Sequence, residues 1–217
     1  SKYLLSLVLR RDGYSKLPKD NRWGTFPGIS AGWVLSRENF MESCSNVLSY
    51  AKIRASYGAN GNVSGVLDAN GNVVTGLDYY TVQGSYGIMK DKDGKIVPNY
   101  NGKVPLMIND LPNPTMRWEK SYTFETGFDI GFLNNKYILN FTYYNRHTQD
   151  KFAEITLPSH SGVSSFLSNN GEVQNQGMEL ELTANVLRTK DWKFTVSMNT
   201  AYNTVSYTHL TLPTIRL

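Results

Sequence analysis

Polar and apolar residues alternate along most of this chain with a period of two, most regularly from Trp118 to Phe132. There Trp118, Tyr122, Phe124, Phe128, Ile130 and Phe132 take the even positions, interrupted by Lys120 and Thr126. Glu119, Ser121, Thr123, Glu125, Gly127, Asp129 and Gly131 take the odd ones. Successive side chains of an extended strand point to opposite faces, so one face is aromatic and the other acidic, hydroxylated or bare. A run of about fifteen alternating residues exceeds the five or six of a typical strand. It suffices for a tilted bilayer crossing, which takes about nine to eleven. Such a strand has oil on one side and water on the other.

The same alternation predicts six further strands. The first, over Lys2–Asp12, sets Tyr3, Leu5, Leu7 and Leu9 on one face, against Lys2, Ser6, Arg10 and Asp12 together with Leu4 and Val8. From about Gly24 to Ser36, Ile29, Ala31, Trp33 and Leu35 oppose Gly28, Ser30 and Gly32. From Tyr50 to Gly58, Ala51, Ile53, Ala55 and Tyr57 oppose Lys52, Arg54 and Ser56. Beyond the turn Leu133-Asn134-Asn135-Lys136, Tyr137, Leu139, Phe141 and Tyr143 form the apolar face of a partner strand. Met178, Leu180, Leu182, Ala184 and Val186 follow, then Trp192, Phe194, Val196, Met198 and Tyr202 after the turn at residues 188–191.

The connections alternate as well. Short turns follow Phe132 and Leu187, whereas polar loops follow Asp12, Gly58 and Thr148, the last expected over Gln149–Gly171. Arg37–Ser49 falls on the short side by parity, with one helical turn expected at Glu38–Glu42. The stretch Asn60–Thr115 is rich in Gly, Asn and Asp, with turn signals at Asn70-Gly71 and Asp93-Gly94, the latter predicting a hairpin between Ile88 and Val97. A loop of that length argues against a compact soluble domain. On a membrane barrel, short turns at one end and long loops at the other are the rule. The fold class is therefore all-β, an antiparallel transmembrane β-barrel, here in part, because unpaired edges are not tolerated in lipid.

Composition agrees. Of 217 residues 40% are hydrophobic and 12% aromatic, with 14 Tyr, whose amphipathic rings suit membrane–water boundaries. No run approaches eighteen apolar residues, which excludes a transmembrane helix but not a barrel, whose strands hide their hydrophobicity in alternation. The net charge of +4 is dispersed, giving nucleic-acid binding no support. Cys44 is the sole cysteine, so neither an internal disulfide nor a cysteine-rich metal site is possible. Without an initial Met or a signal peptide, the chain is expected to be an internal piece of a longer protein.

Several short motifs resemble the SusC/RagA family of TonB-dependent outer-membrane transporters. They are Asn21-Arg22-Trp23-Gly24-Thr25-Phe26-Pro27 with Ser30-Ala31-Gly32-Trp33, and Lys52-Ile53-Arg54-Ala55-Ser56-Tyr57-Gly58 with Asn60-Gly61-Asn62. Asn113-Pro114, Arg117-Trp118-Glu119, Gly127-Phe128-Asp129 and Tyr143-Tyr144 follow, and Asn175-Gln176-Gly177-Met178-Glu179-Leu180 is similar to the family's N-x-G-x-E-L signature. The resemblance runs from about Lys2 to Asn203. It implies a barrel of about 22 strands around an N-terminal plug. It also implies import of oligosaccharides or peptides driven through TonB, a SusD-like surface lipoprotein as partner, residence in the Gram-negative outer membrane and no cofactor. Residues 1–204 are expected to form part of the barrel domain. Val205–Leu217 departs from the pattern and resembles translated sequencing-adapter DNA, a non-native tail. A passive porin or a surface adhesin would share the barrel without the plug.

Catalytic and metal chemistry finds little footing. His147, His160 and His209 lack metal-ligand spacing. Asp68, Asn70 and Asn72 begin like a calcium loop, but Val73 and Tyr79 stand where it needs Gly and Glu. Ser161 and Ser164 have no acid–base partners and no G-x-S-x-G elbow surrounds them. An enzyme is not expected. Glu119, Glu125, Asp129, Glu179 and Glu181 are expected to face the lumen, either contacting substrate, plug or water, or simply forming a solvated face balanced by cross-strand Lys136 and Lys193. Tyr79, Tyr80, Tyr86 and Tyr100 in the long loop are the substrate-binding candidates, by stacking on sugar rings or gripping a peptide. Burial within the loop or under a lipoprotein is the competing role.

Overall fold

The alternating segments become one sheet. A computed structural model describes residues 1–67, 73–75, 77, 79–91, 93–97, 101, 103–158, 162–163 and 165–209. In chain order its strands are β1 Tyr3–Gly13, β2 Trp23–Val34, β3 Leu48–Asn62, β4 Val66–Leu67, β5 Val73–Thr75, β6 Ser85–Ile88 and β7 Leu106–Asp110. They continue with β8 Glu119–Phe132, β9 Tyr137–Thr156, β10 Ser165–Arg188 and β11 Lys193–His209; a short helix, α1, spans Tyr79–Gln83. The main sheet is seven-stranded and antiparallel, in the order β1-β2-β3-β8-β9-β10-β11, and the pairs β4-β5 and β6-β7 are separate small sheets. Each long strand neighbours the next long strand in sequence, as in an up-and-down barrel wall.

Cross-strand register joins the apolar faces into a band. Leu7 lies opposite Ile29, Ile29 opposite Tyr57, and Tyr57 opposite Phe124. Phe128 lies opposite Phe141, where the rings stack at 5.1 Å, and Leu139 opposite Leu182, which in turn faces Met198. Leu7, Ile29, Tyr57, Phe124, Leu182 and Met198 are exposed, Leu7 at 71% and Met198 at 59%, while Phe128, Leu139 and Phe141 are half-buried. A contiguous apolar surface of this extent is covered by something other than water, and in a barrel wall that cover is lipid. Trp23 and Trp33 bracket the band on β2. About ten residue steps at about 3.3 Å, tilted roughly 40°, separate them by about 25 Å along the membrane normal, the height of such a band. At the Trp33 end Tyr3 stacks on Trp33 at 6.3 Å. Glu38 accepts hydrogen bonds there from the Tyr3 hydroxyl (2.9 Å), Trp33 Nε1 (3.1 Å) and Lys2 Nζ (3.3 Å). Amphipathic rings anchored by polar groups are the usual membrane-boundary arrangement.

The two ends of the sheet differ as the loop lengths predict. At one end β8 and β9 are joined by Leu133-Asn134-Asn135-Lys136, with φ of +50°, +56° and +59° at Leu133, Asn134 and Asn135. Asn tolerates this region, and the Leu133 N–H donates to the Val47 carbonyl at 2.8 Å. The connection from β2 to β3 at the same end holds 3₁₀ turns at Leu35–Arg37 and Asn39–Cys44, where the sequence predicts a turn at Glu38–Glu42. The other end carries the loops over residues 14–22, 63–118 and 157–164.

Three boundaries differ from the sequence expectation. β9 and β10 run on to Thr156 and back from Ser165, through much of the loop expected over Gln149–Gly171, with register shifts around Gly171. Beyond the apolar band both faces meet water, so pairing continues without any alternation to mark it. Trp118 precedes β8 and is buried, rather than joining the apolar face that its even position suggests. β11 continues in register through Val205, opposite Asn175, to His209, opposite Gly171, and so into the expected tail. The hairpin at Asp93-Gly94 is present, closed by the Lys90–Ile96 bridge and the Asp91 carboxylate, which accepts the Asp93 and Lys95 N–H groups at 3.0 and 2.9 Å. Asn70-Gly71 lies outside the described residues.

Candidate functional site

The face opposite the apolar band is a polar wall. Its register rows are short: Arg54–Gly127–Thr142–Glu179 and, one step towards the short turns, Lys52–Asp129–Asn140–Glu181. Gly127 bears no side chain to block the row, so Arg54 reaches across it to Thr142 Oγ1 (2.5 Å) and diagonally to Asp129 Oδ1 (3.4 Å). Lys52 Nζ lies 3.9 Å from Asp129 Oδ2, and Asn140 Nδ2 donates to Glu181 at 3.1 Å. The Glu125 and Glu179 carboxylates make no hydrogen bond or ion pair with the described residues. The wall is therefore basic on β3 and acidic on β10, with a concavity between that Lys52, Arg54, Asp129, Asn140, Glu179 and Glu181 line. Partly solvated pairs of this kind contribute about 0–1 kcal/mol each. What they offer is a set of donors and acceptors to a polar solute or a polar protein surface.

A second trough lies further from the turns, where β1, β2 and β3 contribute Ser6, Gly28, Ser30, Ser56 and Gly58. Glu125, Thr123 and Arg146 border it, and Arg146 Nε donates to Thr123 Oγ1 at 3.3 Å. Next to it Tyr144 lies over Gly177, where an added Cβ would come within 2.7 Å of the Tyr144 hydroxyl and 2.5 Å of the Tyr202 carbonyl oxygen. The glycine of the N-x-G-x-E-L stretch thus makes room for an aromatic ring and a close strand approach.

The mouth above this wall is a small hydrophobic core. Leu17, Phe26, Leu77, Met116, Trp118, Phe152 and Leu167 are buried together there. Phe26 comes from the polar face of β2, over Gly61, whose missing Cβ would sit 2.0 Å from its ring. Trp118 packs edge-on against Phe26 at 5.5 Å and donates from Nε1 to the Arg22 carbonyl at 3.1 Å. Polar side chains fasten the loop to the wall. Asn113 Nδ2 donates to the Leu167 carbonyl at 2.9 Å. Asn169 donates to the carbonyls of Arg117 (2.9 Å) and Asp150 (2.7 Å) and accepts the Arg117 N–H (3.0 Å). Arg117 also pairs with Asp150 at 2.5 Å, which holds its guanidinium pKa above the ordinary value.

The predicted site residues separate accordingly. Glu125, Asp129, Glu179 and Glu181 share the polar face. Glu119 is only 2% exposed and accepts from Asn62 Nδ2 (2.8 Å) and the Phe152 N–H (2.6 Å), so it belongs to the loop anchorage. Tyr86 projects from the β6–β7 hairpin at 74% exposure. Tyr79 and Tyr80 lie in α1, and Tyr100 falls outside the described residues, as do His160 and the calcium-loop positions Asp68, Asn70 and Asn72. Sequence reasoning missed the anchoring roles of Asn113 and Asn169. The turn-like Asn113-Pro114 pair was a signal for the first; Asn169 gave none. Among the described residues no group of three or more His, Cys, Asp or Glu is placed to hold a metal.

An apolar outer band, a polar inner wall and a loop core over one end define a segment of an outer-membrane barrel. The chain belongs to the TonB-dependent receptor-like β-barrel family, whose model matches residues 1–215. This is a family of receptors and transporters, not enzymes. It is 32% identical over 212 residues to the TonB-dependent receptor SusC of Bacteroides thetaiotaomicron, covering 97% of this chain and 20% of that protein. It is likewise 32% identical over 203 residues to the TonB-dependent receptor P3 of Formosa agariphila, covering 94% and 18%. The RagAB peptide importer in its closed-closed state superposes with a TM-score of 0.76 at 25% identity, over 97% of this chain and 21% of that chain. The siderophore receptor PirA of Pseudomonas aeruginosa shares the fold, with a TM-score of 0.51 at 16% identity over 93% of this chain and 31% of that one. The chain thus spans about a fifth of the length of the curated relatives it matches.

Proposed function

We propose that this chain is part of the wall and mouth of a TonB-dependent importer of oligosaccharides or peptides that works with a SusD-like surface lipoprotein. The observation that carries this reading is the joint likeness to SusC and to the RagAB peptide importer over 97% of the chain. Coupling to TonB would run through parts of the protein other than this wall. The polar face with Glu125, Asp129, Glu179 and Glu181 would line the solute path or meet a plug. Tyr86, and with it Tyr79, Tyr80 and Tyr100, would present aromatic surface to solute at the mouth. Val205–Leu217 we propose to be a non-native translated tail, which sequencing the source DNA across that end decides.

The importer reading is tested with the receptor carrying this segment in its native outer membrane. Deleting the receptor is expected to abolish growth on one oligosaccharide or peptide source, and deleting TonB to reproduce that loss. Uptake that persists without TonB would instead identify a passive porin. Co-purification of a lipoprotein after mild solubilisation tests the partner.

A further inference from the structure

The outer face changes character partway along the strands. On β9 the outward series runs Leu139, Phe141 and Tyr143, then Asn145, His147 and Gln149. On β10 Leu180 and Met178 give way to Gln176, Gln174 and Glu172. The neighbouring β3 and β8 stay aromatic at the same register, because Tyr57 and Phe124 share a row with Asn145 and Gln176, and Tyr122 shares the next with His147 and Gln174. Tilted strands meet the membrane surface at different register positions, so this step places polar side chains beside aromatic ones at the upper edge of the lipid-facing band.

Between them lies a concavity of about 520 Å³ on the outside of the wall. Tyr57, Tyr122 and Phe124 form one side, with Tyr57 50% and Phe124 42% exposed. Asn145, His147, Gln149 and Gln174 form the other. The polar side is already organised: Gln174 Nε2 donates to Asn145 Oδ1 at 3.3 Å, Gln149 Nε2 lies 3.4 Å from His147 Nδ1, and His147 Nε2 bonds to the Glu172 carboxylate. Among the described residues no lysine or arginine lines it, so it lacks the cations that a phosphate needs. An acyl chain would leave the amides unpaired. A sugar ring matches both sides, with apolar C–H faces for the aromatic rings and hydroxyls for the amide groups of Asn145, Gln149 and Gln174, which both donate and accept.

We propose that this outward concavity is a binding site for the saccharide head of a glycolipid in the outer leaflet. Its volume falls in the roughly 300–1,000 Å³ range of small-ligand clefts. Its position commits the source, because it opens sideways at the lipid boundary and not onto the inner wall along which an imported solute would travel. The proposal rests on the outer-membrane barrel and not on the importer reading, so either can fail without the other.

The test uses the full receptor purified from its outer membrane and native mass spectrometry of retained lipid. The wild-type protein is expected to keep short-chain lipooligosaccharide through delipidation. The double variant Asn145→Ala/Gln174→Ala is expected to lose about tenfold or more of that retention, the effect of removing two hydrogen-bonding groups. Tyr122→Ala should give a similar loss, and Leu139→Ala, lower in the apolar band, none. Unchanged heat-modifiable migration on gels confirms that each variant is folded. Equal retention by wild type and double variant would overturn the proposal. So would displacement of the glycolipid by phosphatidylglycerol, which has no sugar ring, as readily as by lipooligosaccharide.

Discussion

The wall and the mouth of this molecule obey opposite packing rules. In the wall, Leu5, Leu7, Phe124 and Met198 are exposed, at 69%, 71%, 42% and 59%. In the mouth, Leu17, Met116 and Trp118 are 2%, 0% and 7% exposed. The wall needs no core of its own, since lipid covers one face and water wets the other, and its backbone groups pair between strands. The mouth stands in water and must bury its apolar side chains in the ordinary way, each contributing about 1.5–3 kcal/mol. Leu77, Met116 and Trp118 thus join Leu17, Phe26, Phe152 and Leu167 in a core of the mouth's own, fastened to the wall through Asn113, Asn169 and Glu119.

The comparison breaks most sharply at Trp118. Trp118→Ala removes a buried ring and its hydrogen bond, and is expected to cost the mouth about 3–5 kcal/mol. Protease nicking within residues 63–118 in intact membranes should rise steeply while the wall stays folded. In the wall the damaging change is the reverse one. Phe128→Arg puts a charge into lipid and should cost about 2–4 kcal/mol of barrel stability, read from the folded fraction in urea. Glu125→Arg, three positions away on the watery face, should stay within about 0.5 kcal/mol.

Glu119→Gln gives a smaller effect, about 1–3 kcal/mol on the mouth alone. An acceptor-only carboxylate facing the Asn62 amide and the Phe152 N–H becomes an amide with one donor aimed wrongly. The smallest effect lies at the inner boundary. Hydrogen bonds from Trp33 and Tyr3, then Lys2, hold the Glu38 carboxyl below its ordinary value of 4.5. A lowered folded pKa means that its contribution is complete above the ordinary value and is lost as pH falls through the lowered one. Trp33 fluorescence should therefore be flat from neutral pH down to the usual carboxylate range and change only below it, and Glu38→Gln should remove that change.

How far each region was legible in the sequence follows from the same contrast. Alternation marks a strand only where its two faces meet different solvents. β8 is readable from Tyr122 to Phe132, whereas the outer parts of β9 and β10, within Gln149–Gly171, read as loop because Gln149, Asp150, Lys151, Ser168, Asn169 and Asn170 look like any hydrated surface. Trp118 fits the alternation of the lipid face, yet the chain turns into the mouth just before β8 and buries it there. Leu17, Leu77 and Met116 sit in irregular stretches of the loops, with no period to reveal that they converge. Asn113-Pro114 and Arg117-Trp118-Glu119 carried the family resemblance, and the structure supplies their physical role as the clasp between loop and wall. The carboxylates on the inner wall were readable as a face, but Glu119 could be separated from them only by its burial.

The most direct test of the two-solvent wall is single-cysteine scanning along β8 from Tyr122 to Ile130 in the full receptor, after replacing the exposed Cys44 with Ser. Spin labels at each position would be exposed in turn to oxygen, which partitions into lipid, and to a water-soluble nickel chelate. The account predicts a period of two in both accessibilities, out of phase. Tyr122, Phe124, Thr126, Phe128 and Ile130 should favour oxygen, and Thr123, Glu125, Gly127 and Asp129 the chelate. The two accessibilities rising and falling together would mean that both faces meet the same solvent, and the membrane wall would be contradicted.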